Sequence, residues 1–81
     1  MPAKTLFIVQ QFERQGKRLV AGRQMDFKTA QEAISRAERD AARVSGVVAI
    51  QQTIDTDTGE VLEEPILLGR HGDLPAEFND N

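Results

Sequence analysis

The residues of this chain whose types and spacing could support chemistry lie in two short strings. Arg70-His71-Gly72 contains the only histidine of the 81 residues, and Asp55-Thr56-Asp57-Thr58 contains two closely spaced carboxylates. No Ser/His/Asp or Cys/His set can be assembled, because cysteine is absent and histidine is single. A glycine-rich phosphate-binding loop is also missing from the sequence. The sequence therefore predicts no catalytic residue, no cofactor and no metal site, and it predicts that the protein is not an enzyme.

The string Arg70-His71-Gly72 resembles the signature of the histidine phosphatase family. In that family the histidine accepts the phosphoryl group and the arginine binds it, so the resemblance implies His71 as nucleophile and Arg70 as phosphate ligand. The match covers three residues, and the family uses a second histidine that this chain lacks. The motif also opens the family's larger domain, whereas here it stands near the end. We therefore prefer a glycine-rich turn with an exposed histidine.

The string Asp55-Thr56-Asp57-Thr58 resembles the Asp-x-Asp motif of haloacid dehalogenase-like phosphatases, which implies Asp55 as nucleophile. That motif follows a central strand of a doubly wound fold, which 81 residues with one predicted helix cannot build. The residues are also similar to a calcium-binding loop, but Gly59 occupies the fifth position, where an oxygen ligand is required. Asp, Thr and Gly between two strands are typical of a turn, which is our interpretation.

Four basic residues, beside two glutamines, surround the first predicted turn: Arg14, Lys17, Arg18 and Arg23. Two-stranded ribbons can enter a DNA groove with such side chains, so a nucleic-acid-binding regulator is the alternative function. The net charge of −3 argues against it, because neutralising phosphates requires an excess of Lys and Arg. A solvated hairpin tip is the preferred interpretation.

Length and composition predict one small domain over residues 1–81, with a core at about 5–70 and a partly frayed tail at 71–81. A core of this size is only marginally stable, and without cysteine no disulfide can reinforce it. Oligomerisation is then a common source of stability, so a homodimer is expected. The sequence shows no secretory signal and no apolar run of the roughly 18 residues that span a bilayer. We therefore expect a cytoplasmic location and no membrane partner.

One long helix is predicted over residues 29–46. Thr29 and Glu32 have the spacing of a capping box, and Gly46 is expected to end the helix. The apolar residues recur at steps of three and four: Ala30, Ala33, Ile34, Ala37, Ala41 and Val44. The charged residues of the opposite face are expected in water: Glu32, Arg36, Glu38, Arg39, Asp40 and Arg43.

Four strands are predicted around this helix, over residues 5–14, 18–24, 47–55 and 60–68. Gly16 lies in the first turn, and Gly22 indicates a bulge or a close backbone approach. Pro65 cannot donate to a ladder, so the fourth strand is expected to be an edge strand or to be broken there. The fold class is α+β: a ββαββ chain whose antiparallel sheet of about four strands carries one helix on one face.

The strands predict that both faces of the sheet are covered. Residues 6–9 and 47–50 are consecutively apolar, although a sheet with one wet face should alternate. Because the helix covers one face, a second copy or another protein is expected on the other, and the alternative is that segment 66–78 folds over it. Five residues would line either the core or that interface: Leu6, Phe7, Ile8, Val9 and Phe12.

Three strings resemble short conserved bacterial proteins to which no activity is assigned. They are Gly-Val-Val-Ala at 46–49, Asp-x-x-Thr-Gly at 55–59 and Arg-His-Gly-Asp-Leu-Pro at 70–75. The resemblance implies a fold and no activity. The function expected from the sequence is therefore a small protein-interaction or homo-oligomeric domain of unknown biological role.

Overall fold

The computed structural model describes residues 2–78 and contains one antiparallel sheet with the strand order β2-β1-β3-β4. The elements in chain order are β1 (Ala3–Gln15), β2 (Arg18–Phe27), α1 (Ala30–Asp40), β3 (Gly46–Asp55), β4 (Ile66–Gly72) and a short 3₁₀ helix (Ala76–Phe78). The predicted α+β class and the ββαββ order are confirmed. Strands β2 and β4 form the two edges of the sheet.

Strands β1 and β2 form a long hairpin that contains the predicted bulge. Gly16 turns the chain with a φ of 63°, which the missing Cβ permits. The pairing register shifts between Gln10 and Phe12, where Gly22 and Arg23 together face Gln11. The side-chain amide of Gln10 donates to the backbone carbonyls of Gly22 and Arg23 at 3.1 and 3.3 Å, so a side chain supplies hydrogen bonds at the bulge.

The helix begins as predicted and ends earlier. The Glu32 amide donates to the Thr29 hydroxyl at 3.1 Å, which confirms Thr29 as N-cap. The helix stops at Asp40, whose carbonyl accepts the amides of Arg43 and Val44 in the following turn. The prediction that Gly46 ends the helix was wrong, because Gly46 is the first residue of β3.

Gly46 must lack a Cβ because of its neighbours in the sheet, and not because it ends the helix. Gly46 pairs with Phe12 on one side and with Gly72 on the other. A Cβ at Gly46 would collide with the carbonyl oxygen of Asp73, and one at Gly72 with that of Ser45. Gly72 also has a φ of 74°, which sends the chain away from the sheet edge after β4.

The helix-side core lies between α1 and one face of the sheet. Its buried residues are Val9, Ala33, Ala37, Val47 and Ala49, with Phe7, Met25, Phe27, Ala41, Val44 and Leu68 packed around them. The small alanines allow the helix backbone to approach the sheet closely. The predicted apolar face of the helix is confirmed at Ala33 and Ala37, whereas Ala41 and Val44 pack against the same core from beyond the end of the helix.

Asp40 is buried, although the sequence predicts it on the solvated face of the helix. Its residue exposure is only 2%, and its carboxylate accepts hydrogen bonds from Gln11 Nε2 at 2.7 Å and from Arg36 Nε at 3.0 Å. A buried carboxylate requires such partners because it has lost its water. The prediction of a solvated Asp40 was wrong, because Gln11 of the neighbouring strand reaches the end of the helix.

The C-terminal segment covers part of the opposite face of the sheet. Phe12, Val48 and Leu74 are buried together, with Leu19, Ile50 and Phe78 packed against them. The rings of Phe12 and Phe78 are 5.9 Å apart between centroids. The sequence left open that segment 66–78 folds over the second face of the sheet, and at Phe12 and Val48 the structure shows this arrangement. The packed chain extends beyond the predicted limit at 70, and the predicted fraying of 79–81 concerns residues outside those described.

The fourth strand lies later in the chain than predicted. It spans Ile66–Gly72 instead of residues 60–68. Residues 56–65 form a connection that is held to β3 by the Leu62 amide, which donates to the Thr53 carbonyl at 2.9 Å. Pro65 thus immediately precedes β4, where its missing amide interrupts no ladder.

Candidate interaction surface

Exposed large apolar side chains lie on β4 and on the connection that precedes it. Within residues 2–78, the exposed large apolar residues are Val61, Leu62, Ile66 and Leu67, with exposures of 42–51%. We call these four residues the 61–67 surface. Single exposed apolar residues are normal on a protein surface, whereas a cluster of them is typical of a binding site.

A groove lies beside this surface on the side of the sheet that carries the C-terminal segment. Its volume is about 440 Å³. Its lining is apolar apart from two carboxylates and comprises Ile50, Glu64, Pro65, Leu67, Glu77 and Phe78. The wall formed by Phe78 is held in two ways, because its ring packs on Phe12 and its carbonyl accepts a hydrogen bond from Arg70 at 2.8 Å. The groove is therefore largely formed before anything binds.

The backbone edge of β4 is open but irregular. Among the described residues, β4 pairs with β3 alone. Its register shifts at Leu68, because Ala49 pairs with Gly69 while Ile50 pairs with Leu67. A bulge in an edge strand and a proline before it both hinder the addition of another strand. Side-chain contacts on the surface of β4 are thus more accessible to a partner than its backbone.

Two carboxylates and one guanidinium lie at the groove. Glu64 and Glu77 line it and are exposed, and within residues 2–78 neither forms an ion pair, while Arg70 donates to the Phe78 carbonyl at its wall. The ion pairs in that part of the chain join Arg14 to Asp73 and Arg36 to Asp40. An apolar surface with an acidic rim is the result.

The five residues proposed from the sequence as core or interface are placed on both faces of β1. Phe7 and Val9 pack in the helix-side core. Ile8 and Phe12 are buried on the opposite face, and Leu6 is half-buried. The sequence reasoning missed the 61–67 surface because it assigned residues 60–68 to a strand. The signal for it was present in two apolar pairs, Val61-Leu62 and Ile66-Leu67, which Glu63, Glu64 and Pro65 separate.

The structure does not bring the four basic hairpin residues onto one surface. Arg14 is opposite Leu19 and donates to Asp73 at 3.3 Å, on the face that carries the C-terminal segment. Arg18 pairs with Gln15 one position further and so points to the other face, because side chains alternate along a strand. Lys17 lies in the turn and Arg23 in the bulge. Binding of nucleic acid stays a prediction that this arrangement does not favour.

The two strings with possible phosphatase chemistry have structural roles. Asp55 is fully buried, and its Oδ1 accepts the Asp57 amide at 2.8 Å in a turn that Gly59 completes. Asp55 Oδ2 is buried and has no hydrogen-bond partner among residues 2–78. His71 is half-buried within β4, so the predicted turn with an exposed histidine was wrong at this residue. Residues 2–78 contain no group of three or more His, Asp or Glu side chains placed to hold a metal ion.

Across residues 2–78, no helix combines the length and the apolar content that a membrane crossing requires. Comparison with models of known protein families, with curated proteins and with solved structures gives no match. We therefore infer a function from the 61–67 surface and its groove.

Proposed function

We propose that this chain is a small protein-interaction domain, acting by binding and not by catalysis, and that the 61–67 surface is its binding surface. The observation that carries the proposal is the clustering of the exposed large apolar residues within seven consecutive positions at one edge of the sheet. A protein partner is the natural occupant of such a surface, since apolar area removed from water is the main favourable contribution to association.

The size of the expected gain supports binding. Complete burial of one aliphatic side chain contributes about 2 kcal/mol, and these side chains are already about half buried. Because neighbouring side chains of an extended segment point to opposite sides, one partner would bury about two of the four, a contribution of about 2 kcal/mol before the cost of association. This is enough to anchor a partner that adds polar contacts around the apolar centre.

The partner is either a second copy of the chain or a different protein. The homodimer expected from the sequence was placed on the sheet face that Leu74 and Phe78 partly cover, so a dimer would use the β4 edge instead. The proposed location of the protein is the cytoplasm, which subcellular fractionation would test.

The double variant Ile66→Ser, Leu67→Ser tests the proposal. Both side chains are exposed, so we expect the variant to fold normally and to lose most of the binding of a fluorescent dye that reports exposed apolar surface. The control is Ala21→Ser, at an exposed position of the distant hairpin, which should bind the dye like the parent chain. Equal dye binding by all three chains would contradict the proposal.

Light scattering on the same chains separates the two partner classes. The chain has a mass of 9.0 kDa, so a homodimer would show twice that value and revert to the monomer in the double variant. A monomer at every concentration would exclude self-association and leave a different protein as the partner.

A further inference from the structure

We infer that the partner of the 61–67 surface is a basic segment of a different protein, which places an aliphatic side chain in the groove and lysine or arginine side chains against Glu64 and Glu77. This inference rests on the proposed function and names the chemistry of the partner. It is carried by the position of the two carboxylates at an apolar groove of about 440 Å³.

The groove suits side chains that are apolar at their centre and cationic at their ends. Ile50, Leu67 and Phe78 provide an apolar lining, and the volume falls in the range of about 300–1,000 Å³ that is typical of ligand sites. Lysine and arginine carry long aliphatic stems that cover apolar surface while the charged end remains in water. Such a residue could lie along Leu67 and still bring its charge to Glu64 or Glu77.

The charge around the surface favours a basic partner over a second copy. Glu64 and Glu77 line the groove and are exposed, and neither forms an ion pair within residues 2–78. Two copies that met through this surface would bring these carboxylates together, and like charges in apposition disfavour association. A cationic segment would instead be attracted to them and would bind faster at low ionic strength.

The backbone of β4 favours docking of side chains over addition of a strand. The register shift at Leu68 and the proline that precedes Ile66 interrupt a regular row of backbone donors and acceptors. The partner segment is therefore recognised by its side chains, whose order matters, and not by its backbone.

The experiment uses a defined probe, a short peptide of alternating lysine and leucine, titrated into the full chain at low salt and followed by amide NMR. We expect shifts at Leu67, Glu77 and Phe78, and tighter binding than for a lysine-serine or a glutamate-leucine peptide. The variant Glu64→Gln, Glu77→Gln should weaken binding by about tenfold, as expected for two rim charges. The control Glu38→Gln, an exposed carboxylate on α1, should leave the affinity unchanged.

Two results would overturn the inference. One is binding of the lysine-leucine peptide that is no tighter than that of the lysine-serine peptide, or that shifts residues of α1 or β2 instead. The other is a stable homodimer of the parent chain that the Ile66→Ser, Leu67→Ser variant abolishes. The second result would support the proposed interaction function while excluding a basic partner, so the two failures are distinguishable.

Discussion

Asp40 shows how a single polar residue can join two elements of this fold. Its carboxylate is almost completely buried at the end of α1 and accepts hydrogen bonds from Gln11 of β1 and Arg36 of the helix. Helical periodicity places Arg36 and Asp40 one turn apart on the same face, but it cannot reveal Gln11, which is distant in the sequence. The burial of Asp40 was therefore not predictable from the helix pattern alone.

We expect Asp40→Ala to lower the free energy of unfolding by about 3 kcal/mol, since the change leaves the Gln11 amide and the Arg36 guanidinium without their acceptor. Urea denaturation would measure the effect. Glu38→Ala, on the exposed face of the same helix, is the control and should change stability by less than about 0.5 kcal/mol. Equal stability of the two variants would mean that the bonds to Asp40 contribute nothing to the fold.

Gly46 gives a second prediction at the scale of the residue. We expect Gly46→Ala to destabilise the protein by about 1–3 kcal/mol, because the added Cβ meets the carbonyl of Asp73 and must displace the chain there. Gly69→Ala is the matched control, since a Cβ at that position of β4 meets no atom within 4 Å. Thermal unfolding of both variants would test the difference, and a fully stable Gly46→Ala protein would contradict the close approach.

At the scale of the element, local signals locate the starts of segments better than their ends. The Thr29 cap with Glu32 three residues later gave the start of α1, and Gly22 gave the bulge in β2. The end of the helix and the position of β4 were wrong, because both depend on contacts between distant parts of the chain. Gly46 must lack a Cβ because the carbonyl of Asp73 lies close to it. The segment around Val61 forms only an isolated bridge to Ile54 of β3, and the regular strand begins later, at Ile66.

The sequence patterns did not decide whether the C-terminal segment covers the second face of the sheet. Leu74 is buried against Phe12 and Val48, so we expect Leu74→Ala to cost about 2–4 kcal/mol of stability and to increase dye binding by uncovering that face. Leu62→Ala is the matched control, because Leu62 is exposed and its loss should cost little. If Leu74→Ala proved as stable as Leu62→Ala, the segment would not be a structural cover of the sheet.

At the scale of the whole molecule, the fold class followed from the sequence and the binding surface did not. Apolar residues on both faces of β1 and β3 correctly indicated that both faces are covered, but not that the chain's own C-terminal segment contributes to the second cover. Once that face is occupied, the large apolar residues that remain exposed within residues 2–78 are those of the 61–67 surface. A function that needed the basic hairpin would instead require Arg14, Arg18 and Arg23 to act together, although the hairpin directs Arg14 and Arg18 to opposite faces.

The proposed role of the 61–67 surface is to contact another protein. The most direct measurement places a photo-reactive amino acid at Leu62 in living cells, with the same group at the exposed Ala21 as the control. We expect a cross-linked adduct at position 62 whose mass exceeds that of two copies of the chain, and no adduct at position 21. Failure to form any adduct at position 62, or equal adducts at both positions, would contradict the claim.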